Sequence, residues 1–258
     1  MSTFTESPAA PSEVRPRAPA IEIKGLTKSF GRTPVLRNLD LQIRWNEVLT
    51  VLGPNGSGKT TLIKILATLT KPDSGDIHIA GLDVARSGQG VRRLIGVVTH
   101  DPLMYDDLTA YENLRFTARM FGLDRHGERI EAVAERMGVA ARLHQRVGTL
   151  SHGLKKRFSI AKALLPDPYI LLMDEPESGL DQEALAILED IVSNGFGRAH
   201  TVLMTTHNLE RGLALGHRTA ILVGGRIAYE GTLEVDGAST VRDAYFEYVG
   251  RYTGANPT

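Results

Sequence analysis

The chain has 258 residues, 42% hydrophobic and 23% charged, with 30 Lys and Arg balancing 30 Asp and Glu, the composition of a globular protein able to bury one large core. Zero formal charge removes the electrostatic reason to expect a nucleic-acid or polybasic membrane-surface binder. With no cysteine, disulfides, thiolate zinc sites, iron–sulfur ligation and cysteine nucleophiles are excluded within the chain.

Residues 1–20 carry Pro8, Pro11, Pro16 and Pro19 and lack the apolar core of a signal peptide, so they read as a disordered tail. No stretch approaches the roughly 18 to 20 apolar residues of a spanning helix. The densest runs, 170–173 and 220–223, are strand-sized, which argues against direct membrane insertion. From Ile21 onward strand-like runs alternate with helix-period segments, the pattern of an α/β fold. Residues 21–26 and 39–43 alternate apolar with polar residues and predict antiparallel strands. Residues 47–52 predict a buried strand ending in a Gly-rich turn. A helix with Leu62, Ile65, Leu66 and Leu69 on one face follows, broken by Pro72, Asp73 and Gly75. Helical periodicity takes over between about 101 and 167, with helices at 111–121 and around Ile130, Val133, Ala134 and Met137. Buried strands return at 169–173 and 201–205, separated by a helix bearing Leu185, Leu188, Ile191 and Val192. A hairpin around Gly224-Gly225 and a last helix within 236–258, striped by Val241, Ala244, Tyr245, Tyr248 and Val249, close the chain. No repeat of 20 to 50 residues is visible.

The chemistry concentrates in a few places. Gly53-Pro54-Asn55-Gly56-Ser57-Gly58-Lys59-Thr60 fits G-x-x-x-x-G-K-[ST] between a strand and a helix. Such glycines let backbone N–H groups turn inward around phosphates, Lys59 would reach the β and γ phosphates, and the Thr60 hydroxyl would ligate Mg²⁺. The run 170–173 ends in Asp174 and Glu175. Asp174 is the carboxylate expected on the Mg²⁺ side, and Glu175 the general base for an attacking water. Taken alone, an acidic pair after a strand is ordinarily a solvated loop. Ser151-His152-Gly153 opens a segment, 154–165, that reads as a helix carrying Lys155, Lys156, Arg157 and Lys162. By itself Ser151 would be only a helix cap, which is also an anion site.

In this order, residues 53–61, 150–157, 170–176, 178–181 and then His207, the sequence resembles the ATP-binding-cassette (ABC) ATPases over 21 to about 235. The resemblance implies a P-loop NTPase core with an N-terminal antiparallel β subdomain and a helical insertion at about 101–167. It also implies ATP and Mg²⁺ as ligands and a working dimer in which a second ATP-binding subunit completes each site. Residue by residue, Thr61 joins the phosphate loop, Phe30 stacks on adenine, and Ser151 and Gly153 donate to the γ phosphate across the interface. Asp181 crosses that interface and His207 contacts the γ phosphate. Three positions depart from the family pattern. His152 and Leu154 alter Leu-Ser-Gly-Gly-Gln but keep Ser151 and Gly153. His100 stands where a glutamine usually meets the metal shell, and free imidazole titrates near neutrality. Asn46 replaces a glycine, and asparagine tolerates left-handed backbone. A GTPase would carry N-K-x-D, which is absent.

The helical segment 103–114 matches the surface through which such ATPases grip a separate polytopic membrane permease, with Tyr105, Leu108 and Tyr111 as candidate anchors. That implies a peripheral location on the cytoplasmic face of the membrane. The wording of 100–114 and 205–212 is similar to the ATP-binding subunit of the cytochrome c maturation haem exporter. Exporters of drugs, lipids or antibiotics, and soluble ABC ATPases serving cofactor assembly, are the alternatives. No haem ligation is expected in the chain itself.

Overall fold

The computed structural model describes residues 18–253, so most of the expected tail lies outside the described residues. Its last part is held in place: the Ala18 carbonyl accepts a hydrogen bond from Trp45 Nε1 at 3.0 Å, and buried Ala20 accepts from the Ala80 amide.

Two sheets organise the fold. In the first, β1 (Ile21–Phe30), β2 (Thr33–Ile43), β4 (Ser74–Ile79) and β5 (Leu82–Asp83) run antiparallel in the order β2-β1-β4-β5. The second comprises β3 (Val48–Leu52), β6 (Ile95–Val98), β7 (Ile170–Asp174), β8 (Thr201–Thr206), β9 (Arg218–Val223) and β10 (Arg226–Thr232), in the order β10-β9-β3-β8-β7-β6. It is parallel except for β10. The helices are α1 (Lys59–Leu66), α2 (Gly88–Leu94), α3 (Ala110–Met120), α4 (His126–Arg136), α5 (His152–Leu164), α6 (Gln182–Asn194), α7 (Leu209–Leu215) and α8 (Leu233–Thr253), the last interrupted at Gly237.

The period-2 alternation of a strand divides the core in two. Leu49, Val51, Ile170, Leu172 and Leu203 face the antiparallel sheet together with Leu62, Ile63, Ile65 and Leu66 of α1. Val48, Leu171, Met173, Val202 and Met204 face the opposite way, into a cluster with Leu114, Ile130, Val133, Phe158, Leu188 and Ile191 from the helices. Each such fully buried aliphatic or aromatic side chain contributes about 1.5–3 kcal/mol through burial.

Two expectations change. Helix α1 ends at Leu66, and Leu69 is 53% exposed, off the buried face; Ile63 takes the place expected for it. Pro72, Asp73 and Gly75 do lie beyond the helix, but the segment from Ser74 goes on to form β4, a strand not expected there: Asp73 accepts from the Ser29 amide at 2.6 Å and pairs with Lys28 at 2.8 Å, docking the segment along β1. Asn46 does adopt left-handed backbone, at φ +59.

Between β6 and β7 the described structure is helical. Its first long helix, α3, starts with a capping box: Thr109 Oγ1 accepts from the Glu112 amide at 3.1 Å, and Glu112 Oε2 accepts from the Thr109 amide at 2.8 Å. The hydrogen bonds from Thr109 hold the Glu112 carboxyl below its ordinary value of 4.5. A carboxyl depressed by folding stabilises above its unfolded pKa, and that contribution disappears as pH falls through the folded value. Thr109→Ala is therefore expected to lower the melting temperature by about 2–4 °C at pH 7. The difference from the parent should shrink as pH drops below 4.5. A pH-independent difference in thermal melts would contradict the box.

Candidate functional site

Parallel strands place their C-terminal ends on one edge of a sheet. Leu52 lies opposite Thr206, and Asp174 opposite Thr205, so the segments following β3, β7 and β8 emerge side by side. They contain the Gly-rich loop, Glu175 and His207.

The loop 53–58 turns through Gly56 at φ +78 and Gly58 at φ +111. At Gly58 a Cβ would lie 2.7 Å from Leu36 Cδ2 and 3.1 Å from the Val35 carbonyl oxygen, so only glycine fits both the backbone angle and the space. No side chain caps the N-terminus of α1 and no acidic residue occupies its first turn, which leaves amide donors directed at the loop. Lys59 is buried, and its ammonium donates to the Gly53 carbonyl at 2.7 Å and the Pro54 carbonyl at 3.1 Å. Burial pushes Lys59 below the ordinary lysine range, opposed by Glu175, Asp174 and Glu177. The buried Ser57 hydroxyl has no partner, whereas Asn55, Gly56 and Thr60 are exposed and Pro54 and Thr61 half-buried.

Asp174 is buried at the end of β7 and accepts from Thr205 Oγ1 at 2.7 Å. Glu175 follows in left-handed backbone at φ +45, its amide bonded to the Thr205 carbonyl at 3.0 Å. Its Oε1 meets His207 Nδ1 at 3.1 Å. A non-glycine residue held there is strained, and the strain is sustained by the bonds to the Thr205 carbonyl and the histidine. Glu177 bonds Thr206 through one carboxylate oxygen; the other is buried and unpartnered. Thr205, Glu177 and the buried Lys156 were not singled out from the sequence. Thr205 was hidden inside an apolar-looking strand run, and Lys156 inside a charged helical segment that reads as solvated.

The remaining expected residues lie apart. Ser151 caps α5, its hydroxyl accepting from the Leu154 amide at 3.3 Å. Gly153 abuts Gly179 so closely that a Cβ on it would lie 2.8 Å from the Gly179 carbonyl oxygen. Asp181 caps α6, accepts from the Ala184 amide at 3.0 Å and pairs with Arg157. These bonds hold its carboxyl below the ordinary range. No hydrogen bond among the described residues joins 151–153 to the loop 53–61. Phe30 is 54% exposed, with the Lys28 ammonium 5.4 Å from its ring centre. His100 is exposed and makes no side-chain hydrogen bond among the described residues.

This arrangement fits a polyphosphate and a hard divalent ion. The orphan hydroxyl of Ser57, the uncapped helix and an ammonium bonded only to carbonyls are donors awaiting an anion. Asp174 and Thr60 are the oxygen ligands Mg²⁺ prefers. Among the described residues no group of three or more His, Asp or Glu forms a metal cage by itself, so the ion would share its shell with phosphate oxygens and water.

The family model described as ABC transporter matches residues 36–178. The daunorubicin resistance ATP-binding protein DrrA3 of Streptomyces coeruleorubidus is 36% identical over 226 residues, covering 87% of this chain and 72% of that protein. The Nod factor export ATP-binding protein I of Burkholderia pseudomallei is 35% identical over 213 residues, 82% of this chain and 70% of that one. The dimeric structure of a post-hydrolysis state of the ATP-binding cassette MJ0796 bound to ADP and Pi superposes with a TM-score of 0.74 at 25% identity, covering 83% of this chain and 98% of that chain.

A buried hydroxyl without a partner costs stability until a ligand satisfies it. Ser57→Ala is accordingly expected to leave the melting temperature of the free chain unchanged or about 1–2 °C higher, while reducing the rise produced by ATP. Thermal melts with and without ATP check this; a free variant several degrees less stable would show the hydroxyl already bonded.

Proposed function

The chain belongs to the ABC transporter family as an ATP-binding subunit, and we propose that it hydrolyses ATP to power export of a small amphipathic molecule through a separate membrane subunit. The observation that carries the reading is the convergence, on one sheet edge, of the phosphate loop, Asp174, and a Glu175 bonded to His207.

In this reading the loop 53–61 receives the phosphates of ATP on its amides, with Ser57 as a further donor and Lys59 turning from its carbonyl partners to the β and γ phosphates. Thr60 and Asp174 would hold Mg²⁺, whose charge would offset that of the phosphate oxygens. Glu175 takes a proton from the attacking water as the water oxygen bonds to the γ phosphorus and the bond to the β-phosphate oxygen breaks, yielding ADP and phosphate. His207 orients that carboxylate and faces the γ phosphate. Exposed Phe30 offers a stacking face to adenine. The contribution of His100 to the metal shell rests on its position after β6. Ser151, Gly153 and Asp181 serve a second ATP-binding subunit, a reading supported by their separation from the loop within one chain and by the dimeric likeness.

Coupling to a membrane subunit is supported by a groove of about 570 Å³ between the helical segment and the core. Leu69, Leu103, Tyr105, Phe116 and Met120, all exposed, line it, the chemistry of a site for a short amphipathic helix. Of the three expected anchors, Tyr105 lines the groove, Leu108 does not, and Tyr111 packs against the core beside His144. Among the described residues no helix is long and apolar enough to cross a membrane, so the conduit is assigned to another chain, with this subunit peripheral on the cytoplasmic face. The relatives named for drug resistance and Nod factor export favour organic amphiphiles as cargo. The haem exporter is a narrower second reading, favoured only by the wording of 100–114 and 205–212.

Glu175→Gln is expected to retain ATP affinity, to lower turnover at least about 100-fold, and to accumulate an ATP-dependent dimer in size-exclusion chromatography. Turnover near the parent level would refute the assignment. Phe116→Asp should leave hydrolysis by the isolated chain unchanged and abolish co-purification with a polytopic subunit from detergent extract. Isolation of the parent solely in a soluble complex would favour the assembly-factor alternative, and reconstituted vesicles would separate haem from drug-like cargo.

A further inference from the structure

Lys156 lies at the heart of the molecule with no exposed surface, and nothing in the scheme above uses it. Its ammonium makes no ion pair among the described residues. It donates instead to two main-chain carbonyls, Thr99 at 3.1 Å and Asp174 at 3.5 Å. These end the neighbouring parallel strands β6 and β7, whose last paired residues are Val98 and Met173. The residue after Thr99 is His100, and the residue after Asp174 is Glu175. One side chain thus spans the gap from which both depart.

A second lysine of the same helix reinforces this. Lys162 donates to the Pro102 carbonyl at 2.9 Å and the Leu103 carbonyl at 2.6 Å, so the loop 99–103 is tied at both ends to α5. Leu103 itself lies in left-handed backbone at φ +49. Helix α5 begins at the Ser151 cap. Burial pushes Lys156 below the ordinary lysine range, opposed by the nearby carboxylates of Asp174, Glu177, Glu175 and Asp101. A methionine would fill the same space without a buried charge but would leave the two main-chain carbonyls short of a donor. What the ammonium adds is the fixed spacing of two carbonyls.

We infer that Lys156 is a positioning residue of the hydrolytic site: it sets the distance between the loop bearing His100 and the strand end bearing Asp174 and Glu175. The inference rests on the ATPase reading given above. Misplacing a catalytic group by about 1 Å can cost on the order of 100-fold in rate, while the phosphate loop, on β3, is untouched by the lysine.

The test uses the full chain with ATP and Mg²⁺, measuring steady-state hydrolysis, binding of a fluorescent ATP analogue and thermal melting for Lys156→Met, Lys156→Gln and Lys156→Arg. The glutamine is too short to bridge both carbonyls. Met and Gln variants are expected to stay folded and to melt within about 5 °C of the parent. They should bind nucleotide within about twofold and lose about tenfold or more in kcat with KM little changed, and arginine should recover part of the loss. A folded Met or Gln variant with kcat within about twofold of the parent overturns the inference. So does failure of both neutral variants to fold, or a loss of kcat that only follows loss of folded protein, since each marks a structural role. A parent chain without ATP turnover, or full turnover in Glu175→Gln, overturns the underlying ATPase reading instead, and is recognised without any Lys156 variant.

Discussion

The parallel pairing of β3, β8 and β7 is the constraint on which the rest depends. In parallel strands every chain leaves the sheet in the same direction. The register that opposes Leu52 to Thr206 and Asp174 to Thr205 therefore delivers three separate loops to one place. The loop after β3 is more than 100 positions in sequence from the acids at the end of β7 and from His207, and no local propensity brings them together. Burial does so: all five residues of β3, all five of β7 and all six of β8 are buried, and a slip of one residue would turn apolar side chains to the wrong layer. The energy that fixes the core thus also fixes the site.

The polar groups at this edge are arranged by short contacts that leave few alternatives. Thr205 holds Asp174, Thr206 holds Glu177, and His207 holds Glu175, so the last two residues of β8 and the one after it each grip one of the acids at or just past the end of β7. The lysines act as the counterpart from below, Lys59 on the loop carbonyls and Lys156 on the strand ends. Both ammonium groups are buried and bonded to main chain, an arrangement that shapes backbone while leaving the carboxylates free of direct ion pairs with either lysine.

Much of this was legible in the sequence. The phosphate loop is a local motif whose glycines, lysine and threonine act within eight residues, and the apolar run before Asp174 announces a buried strand with acids at its end. The amphipathic stripe of Leu185, Leu188, Ile191 and Val192 reads directly as the buried face of α6. What was hidden depends on tertiary contacts. Strand β4 carries only a short alternation, Ile77 and Ile79, and is secured by Asp73 reaching β1 from 44 positions away in sequence. The burial of Lys156 cannot be read from a segment where Lys155 and Arg157 flank it, because side-chain hydropathy suggests a wet face there. Tyr111 and Tyr105 look equivalent in sequence, yet the first, in the opening turn of α3, packs against the core, while the second, in the loop before that helix, stays exposed on the groove.

The contact between Gly153 and Gly179 has a mechanical consequence. With no room even for a methyl group, the segment that follows Glu175 and the start of α5 behave as touching, incompressible bodies. The approach is closed from both sides, since a Cβ on Gly179 would lie 2.3 Å from the His152 ring, so a side chain at either glycine would push the sheet edge and the helical half of the molecule apart.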